Sequence, residues 1–213
     1  FRQVNRFLEL VDDVVPSLRT DGTLRIIDFG CGKSYLTFAI HHLLTELRGR
    51  KVEIVGLDLK DDVIEACSSL ALRSGAEGLR FQHGDIGSFD AREKVDLVVS
   101  LHACDTATDA ALDRAVRAQA SVILAVPCCQ HELKPQLESQ ALEPFLRFGI
   151  LRERFAAEVT DAVRALLLGA VGYDAQVVEF VELEHTPKNL LIRAVRRPSR
   201  DCAKSLEDYR SLQ

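Results

Sequence analysis

Ile26-Ile27-Asp28-Phe29-Gly30-Cys31-Gly32-Lys33-Ser34 decides how the rest of the chain is read. An apolar run, residues 24–29, ends in a Gly-x-Gly turn, and a helical pattern over residues 35–47 follows. A short apolar run closed by glycine has the pattern of a strand buried on both faces. Glycines in the turn let the backbone approach a ligand where no Cβ obstructs it, and the start of the helix adds unpaired N–H groups. The same turn also suits tight packing between strand and helix, so two glycines alone leave both readings open.

Outward from this segment, strand-like and helix-like patterns alternate, which predicts a mainly parallel sheet with helices on both faces. A helical period over residues 4–18 precedes the first strand. After it come strands at 52–57, 79–83, 95–101 and 121–126, with helices at 61–74 and 109–119. Residues 135–168 read as two helices interrupted near Gly149. Residues 173–181 and 189–195 read as a terminal antiparallel strand pair joined by a polar segment. The 213 residues are 47% hydrophobic, 28% charged and 6% aromatic, which fits one globular domain over 1–213 and excludes disorder and collagen-like repeats. The longest apolar runs, residues 122–127 and 165–171, fall far short of the roughly 20 residues that span a membrane. No secretory signal is visible. The start at Phe1 and the absence of Met read as a fragment lacking an N-terminal domain.

A net charge of −5 speaks against a uniformly basic nucleic-acid binder, so any RNA-binding surface is local. Cys31, Cys67, Cys104, Cys128, Cys129 and Cys202, with no signal peptide, read as reduced thiols of a cytoplasmic protein. Without a paired CxxC, no structural zinc site and no metal is expected.

Asp58 closes the second strand, 26 residues after Gly32, where a carboxylate accepts hydrogen bonds from both hydroxyls of a ribose. That combination points to a nucleoside-containing cofactor. Asp28 stands before the turn, and Ser34 replaces the third glycine of the dinucleotide fingerprint. A carboxylate there repels a pyrophosphate and favours a ligand with an amino group, so S-adenosylmethionine fits better than NAD.

In these features the chain resembles the class I S-adenosylmethionine-dependent methyltransferases over nearly its whole length. The resemblance implies a Rossmann-like, doubly wound α/β fold with a seven-stranded, mainly parallel sheet whose last strand is antiparallel. It implies that the turn of Asp28, Gly30, Cys31 and Gly32 cradles the methionine part of the cofactor and that Asp58 holds the ribose. Asp85, in Gly84-Asp85-Ile86 after the third strand, would take the adenine amine. Leu59, Ile86 and Leu101 complete the implied cofactor contacts, with Gln3 of the first helix reaching the cofactor carboxylate. Lys33 is a second candidate for that carboxylate or for a substrate phosphate.

Leu101-His102-Ala103-Cys104-Asp105-Thr106-Ala107-Thr108-Asp109 and Pro127-Cys128-Cys129-Gln130-His131-Glu132 stand at the ends of the fourth and fifth strands. They are similar to segments of the tRNA acceptor-stem 2′-O-methyltransferases, and to the methyltransferase domain of the glutathione-S-transferase C-terminal-domain-containing proteins. Two departures are plain: Asp105 stands where those segments have glycine, and Gln130 where they have histidine. A 2′-hydroxyl or amine acceptor loses a proton as it attacks the methyl group, and His102, Asp105 and His131 are the candidate bases. The alternative for this loop is structural, with Thr108 or Asp109 capping the next helix. Cys128 and Cys129 stand where pyrimidine carbon-five methyltransferases place a nucleophile, or they pack as small apolar residues. RNA 2′-O-ribose methylation is the expected activity. Protein or small-molecule methylation, carbon-five methylation and a catalytically silent cofactor-binding module are the alternatives. Arg193, Arg196, Arg197 and Arg200 form a basic cluster that contacts phosphates or lies as a solvated tail.

Overall fold

The computed structural model describes residues 2–91, 93–101, 103–128, 130–179, 189–199 and 201–212. His102, Cys129 and Arg200 lie outside the described residues. The elements are α1 (Arg2–Val14), β1 (Leu24–Phe29), α2 (Tyr35–His42), β2 (Val52–Asp58), α3 (Asp61–Ser74), β3 (Leu79–His83), β4 (Leu97–Leu101), α4 (Thr106–Arg117), β5 (Val122–Val126), α5 (Glu143–Leu146), α6 (Gly149–Ala170), β6 (Tyr173–Glu179), β7 (Leu190–Arg196) and α7 (Ala203–Ser211).

The seven strands form one sheet in the order β3-β2-β1-β4-β5-β7-β6. Pairings from β3 through β5 are parallel, and β7 runs antiparallel to both β5 and β6. The alternating pattern predicts the mainly parallel sheet, and the resemblance implies its seven strands and antiparallel last strand, as found. The chain leaves β1 first towards β2 and β3 and later towards β4 and β5, so the switch point lies at the β1–β4 pair, where ligands bind in doubly wound sheets.

Alternate residues of the central strands feed two cores. Leu24, Ile26, Ile54, Leu97, Val99, Val122 and Leu124 pack with Phe7, Val11 and Val14 of α1 and Leu36 and Ile40 of α2. Ile27, Phe29, Leu57, Val98, Ile123 and Ala125 pack on the other face with Ala111, Leu112 and Ala115 of α4 and Leu168 of α6. Burial on both faces is why these strands read as continuous apolar runs. At the far edge of the sheet from the glycine turn, buried Asp96 accepts from Arg19 Nε at 2.7 Å and from the Arg25 amide at 2.9 Å, tying β1 to β4.

Several boundaries differ from the sequence reading. The helix expected over 35–47 relaxes after His42 into a π-helical turn, Leu43–Leu47. Between β3 and β4, where no helix was expected, the described residues form a short 3-10 turn, Ile86–Ser88. The break expected near Gly149 separates α5 from α6, but the first of the two helices is only the four residues of α5. The tail beyond β7, where the sequence reading assigns no element, carries α7, which approaches α6 so closely that a Cβ on Gly169 would sit 2.5 Å from Ser205 Oγ.

Candidate active site

The glycine turn sits at the carboxyl end of β1 and is anchored from beneath. The Gly30 and Cys31 amides both donate to the Leu57 carbonyl, at 2.9 and 3.0 Å, which fastens the turn to β2. Gly30 has φ +71° and Gly32 φ +49°, the left-handed region that glycine adopts without a Cβ clash. A Cβ at either position would meet nothing within 4 Å, so the space above the turn is open to a ligand. Asp58, at the end of β2, accepts from the Gly32 amide through Oδ2 at 2.9 Å and from the Lys60 amide through Oδ1 at 3.1 Å. It is only half-buried, and each oxygen keeps a further lone pair.

Asp28 is placed differently from the sequence reading. Its carboxylate is buried under the turn and accepts from Thr37 Oγ1 of α2 at 2.6 Å. Desolvation pushes it up to about 7, with the Thr37 bond opposing and the charge of Asp58 adding to the rise. The charge displayed towards the open turn is therefore that of Asp58, because a carboxyl in the Asp28 position loses much of its charge to burial. Beneath the turn, burial also pushes the Cys31 thiol up to about 12.

The remaining expected cofactor residues line the same carboxyl edge. Leu59 is exposed, and Ile86 and Leu101 are half-buried at the ends of β3 and β4. Asp85 caps the short turn after β3, accepting from the Gly87 amide at 3.1 Å. A cavity of about 890 Å³ runs beneath this end, reaching Leu57, Phe81, Gly84 and Asp85. Gln3 is half-buried at the start of α1, the helix that packs on α2.

The loops after β4 and β5 meet each other. Asp105 has φ +51° and ψ −124°, backbone angles that belong to glycine. Here the strained backbone carries a carboxylate, which accepts from the His131 amide at 3.1 Å and so joins the two loops. Cys104 and Cys128 bring their Sγ atoms to 3.1 Å. His131 itself is exposed.

Arg164 of α6, absent from the sequence reading, is the hub behind these loops. Its side chain is 4% exposed. It donates to both oxygens of Asp109 at 2.7 and 2.8 Å, to Asp161 Oδ1 at 3.0 Å and to the Asp105 carbonyl at 3.0 Å. Asp161 in turn accepts from Gln130 Nε2 at 2.9 Å. Burial pushes the Asp161 carboxyl up, against the lowering effect of Gln130 and Arg164. Thr108 and Asp109 thus do not cap α4: Thr108 Oγ1 donates to the Ala103 carbonyl, and Asp109 pairs with Arg164. The signal for the hub was a charged Asp161–Arg164 pair, spaced i,i+3, on the more apolar second half of α6. Beside it lies a cavity of about 1010 Å³ whose lining includes Gln130, Lys134, Glu153, Glu158, Asp161 and Glu179. The Gln130 Oε1 atom is buried without a hydrogen-bond partner among the described residues.

Against this geometry, the comparison with known families is direct: a methyltransferase domain model matches residues 1–136, more than half of the chain. The chain belongs to that methyltransferase domain family. No curated protein matches it. Among solved structures, the methyltransferase domain is similar to the 23S rRNA methyltransferase ErmE, with 15% identity and a TM-score of 0.56 over 97% of this chain and 73% of that one. It is similar to magnesium protoporphyrin IX methyltransferase from Synechocystis PCC 6803, with 15% identity and a TM-score of 0.55 over 91% and 81%. The citrinin polyketide synthase CMeT domain aligns with 18% identity and a TM-score of 0.59 over 93% of this chain, which spans about half (52%) of that relative. At such identities the likeness is one of fold. The Synechocystis enzyme was crystallised with bound SAH, the demethylated product of S-adenosylmethionine, and S-adenosylmethionine is the cofactor of this methyltransferase domain. The open space over Gly30 and Gly32 and the spare lone pairs of Asp58 fit it.

Proposed function

We propose that this domain methylates RNA, with a ribose 2′-hydroxyl as acceptor, from a single unit spanning residues 1–213 that works in the cytoplasm. Bound S-adenosylmethionine supplies an electrophilic methyl group on a sulfonium. In this reading Gly30, Cys31 and Gly32 receive the methionine end, Asp58 takes the ribose hydroxyls and Asp85 the adenine amine. Gln3, Leu59, Ile86 and Leu101 flank these groups. The observation that carries the acceptor site is the Asp105 carboxylate, fixed by the His131 amide and backed by Arg164 on its carbonyl. It stands between the carboxyl ends of β4 and β5, positioned to take the proton of an attacking hydroxyl. Similarity of the two loops to the tRNA acceptor-stem enzymes supports RNA; Arg196 and Arg197 lie at the opposite end of β5, where Arg196 pairs with Ser121, and add nothing to this site.

The second reading, a protein side chain or small molecule, is favoured by the cavity beside α6. Glu153, Glu158, Asp161 and Glu179 outnumber Lys134 and Arg154 there, an unfavourable lining for phosphates. No described helix is long and apolar enough to cross a membrane.

The test is transfer of labelled methyl from S-adenosylmethionine to total cellular RNA and, in parallel, to a protein extract. We expect label in RNA, recovered as 2′-O-methylnucleoside, with transfer falling steeply as salt rises. Label in protein alone replaces the first reading with the second.

A further inference from the structure

Leu101 and Val126 are register partners at the carboxyl ends of β4 and β5. Just beyond them, the Cys104 and Cys128 sulfurs lie 3.1 Å apart, about 1 Å more than a disulfide bond requires. Cys104 is exposed and Cys128 half-buried. Among the described cysteines only Cys104 is exposed; Cys31 and Cys202 are half-buried like Cys128, and Cys67 is buried against Ser34 Oγ at 3.1 Å. We propose that Cys104 and Cys128 form a thiol-oxidation site, which peroxide converts to a disulfide fastening the loop after β4 to the loop after β5.

The exposed Cys104 thiolate attacks one oxygen of hydrogen peroxide. The O–O bond breaks, hydroxide leaves and Cys104 becomes a sulfenic acid. Cys128 then attacks the sulfenic sulfur, the S–O bond breaks, and the hydroxyl leaves as water with the Cys128 proton. In sum two thiols and one peroxide give one disulfide and two waters, the thiols losing two electrons and the peroxide gaining them. In a reducing compartment such a bond is transient and regulatory. It also links the loops that carry Asp105 and His131, and so reduces methyl transfer while leaving the glycine turn untouched. This effect on transfer, unlike the bond, rests on the acceptor site proposed above.

The experiment treats the full chain with a few equivalents of hydrogen peroxide and reads intact mass and peptide maps. We expect a loss of about 2 Da, a crosslinked peptide pair joining Cys104 to Cys128, reversal by dithiothreitol, and no loss in Cys104→Ser. Mass gain in steps of one oxygen without a crosslink overturns the site, as does a crosslink from Cys104 to Cys129. Mapping the unaltered chain keeps the test valid should the variant fail to fold. On the crosslinked chain, S-adenosylmethionine affinity by calorimetry is expected to change less than about twofold while RNA methylation falls at least about tenfold. Unchanged methylation on the crosslinked chain removes the control function. A chain that labels no RNA even when reduced counts against the acceptor proposal and leaves the mass result standing.

Discussion

At the scale of single residues, Asp28 makes stability depend on pH with an unusual sign. Its carboxyl stands near 7 in the fold, chiefly through desolvation, whereas an unfolded chain titrates it near 3.9. The folded state therefore binds this proton more tightly than the unfolded state. The contribution is fully present below about pH 4 and is lost as pH rises through about 7, then is flat. The separation is worth on the order of 4 kcal/mol at most. Asp28→Asn keeps an oxygen for Thr37 and removes the titration. Wild-type denaturation midpoints should fall relative to Asp28→Asn between pH 5 and pH 7.5; parallel profiles would mean that Asp28 titrates as an ordinary carboxyl. Asp105 gives a second residue-scale expectation. Its backbone strain is worth about 1–3 kcal/mol, and losing the bond to His131 costs about 1 kcal/mol. Asp105→Gly should thus melt no lower than wild type while losing about 10²-fold or more in transfer, and Asp105→Asn should lose activity with the melting temperature unchanged. An active Asp105→Gly would move the general base elsewhere.

At the scale of elements, the arrangement of loops depends on a helix remote in sequence. Arg164 reaches from α6 to Asp109 at the start of α4, to the Asp105 carbonyl and, through Asp161, to Gln130 after β5. Removing the guanidinium leaves Asp161 buried without its cation, which costs about 3–5 kcal/mol. Arg164→Leu should lower the denaturation midpoint by that amount and speed hydrogen exchange in α4 and both loops, with β1 to β3 little changed. A uniform effect across the sheet would show that the hub serves the whole core. Arg164→Lys should rescue only in part, because an ammonium cannot match the two-pronged contact with Asp109. Which elements were legible from sequence follows the same physics. Strands buried on both faces, such as residues 122–126, announce themselves as unbroken apolar runs. The short α7 does not, since its nine residues present one buried position, Ser205. The hub was hidden because its partners lie 55 and 59 residues away and only folding brings them together.

At the scale of the whole molecule, the sheet order divides the labour at the β1–β4 switch point. The glycines and carboxylates at the ends of β1, β2 and β3 that make up the proposed cofactor site could be picked out in the sequence because local sequence builds each of them: turn, strand end, turn. The proposed acceptor side stood out only as two loops, since their geometry comes from strained backbone at Asp105 and from α6. This division predicts how the cofactor acts on the entire fold. A ligand that binds the native state alone stabilises it by about 2.7 kcal/mol at 100 times its dissociation constant. For a chain of this size each kcal/mol raises the melting temperature by about 2–4 °C. S-adenosylmethionine should therefore raise it by about 5–10 °C, and NAD, whose pyrophosphate faces the Asp58 charge at the open turn, should leave it unchanged. Asp58→Ala removes the acceptors for the Gly32 and Lys60 amides as well as the proposed ribose partner. It should abolish most of the rise while the melt without ligand shifts by only about 1–2 kcal/mol. Equal rises for Asp58→Ala and wild type would detach Asp58 from the ribose and leave it as the clamp of the glycine turn.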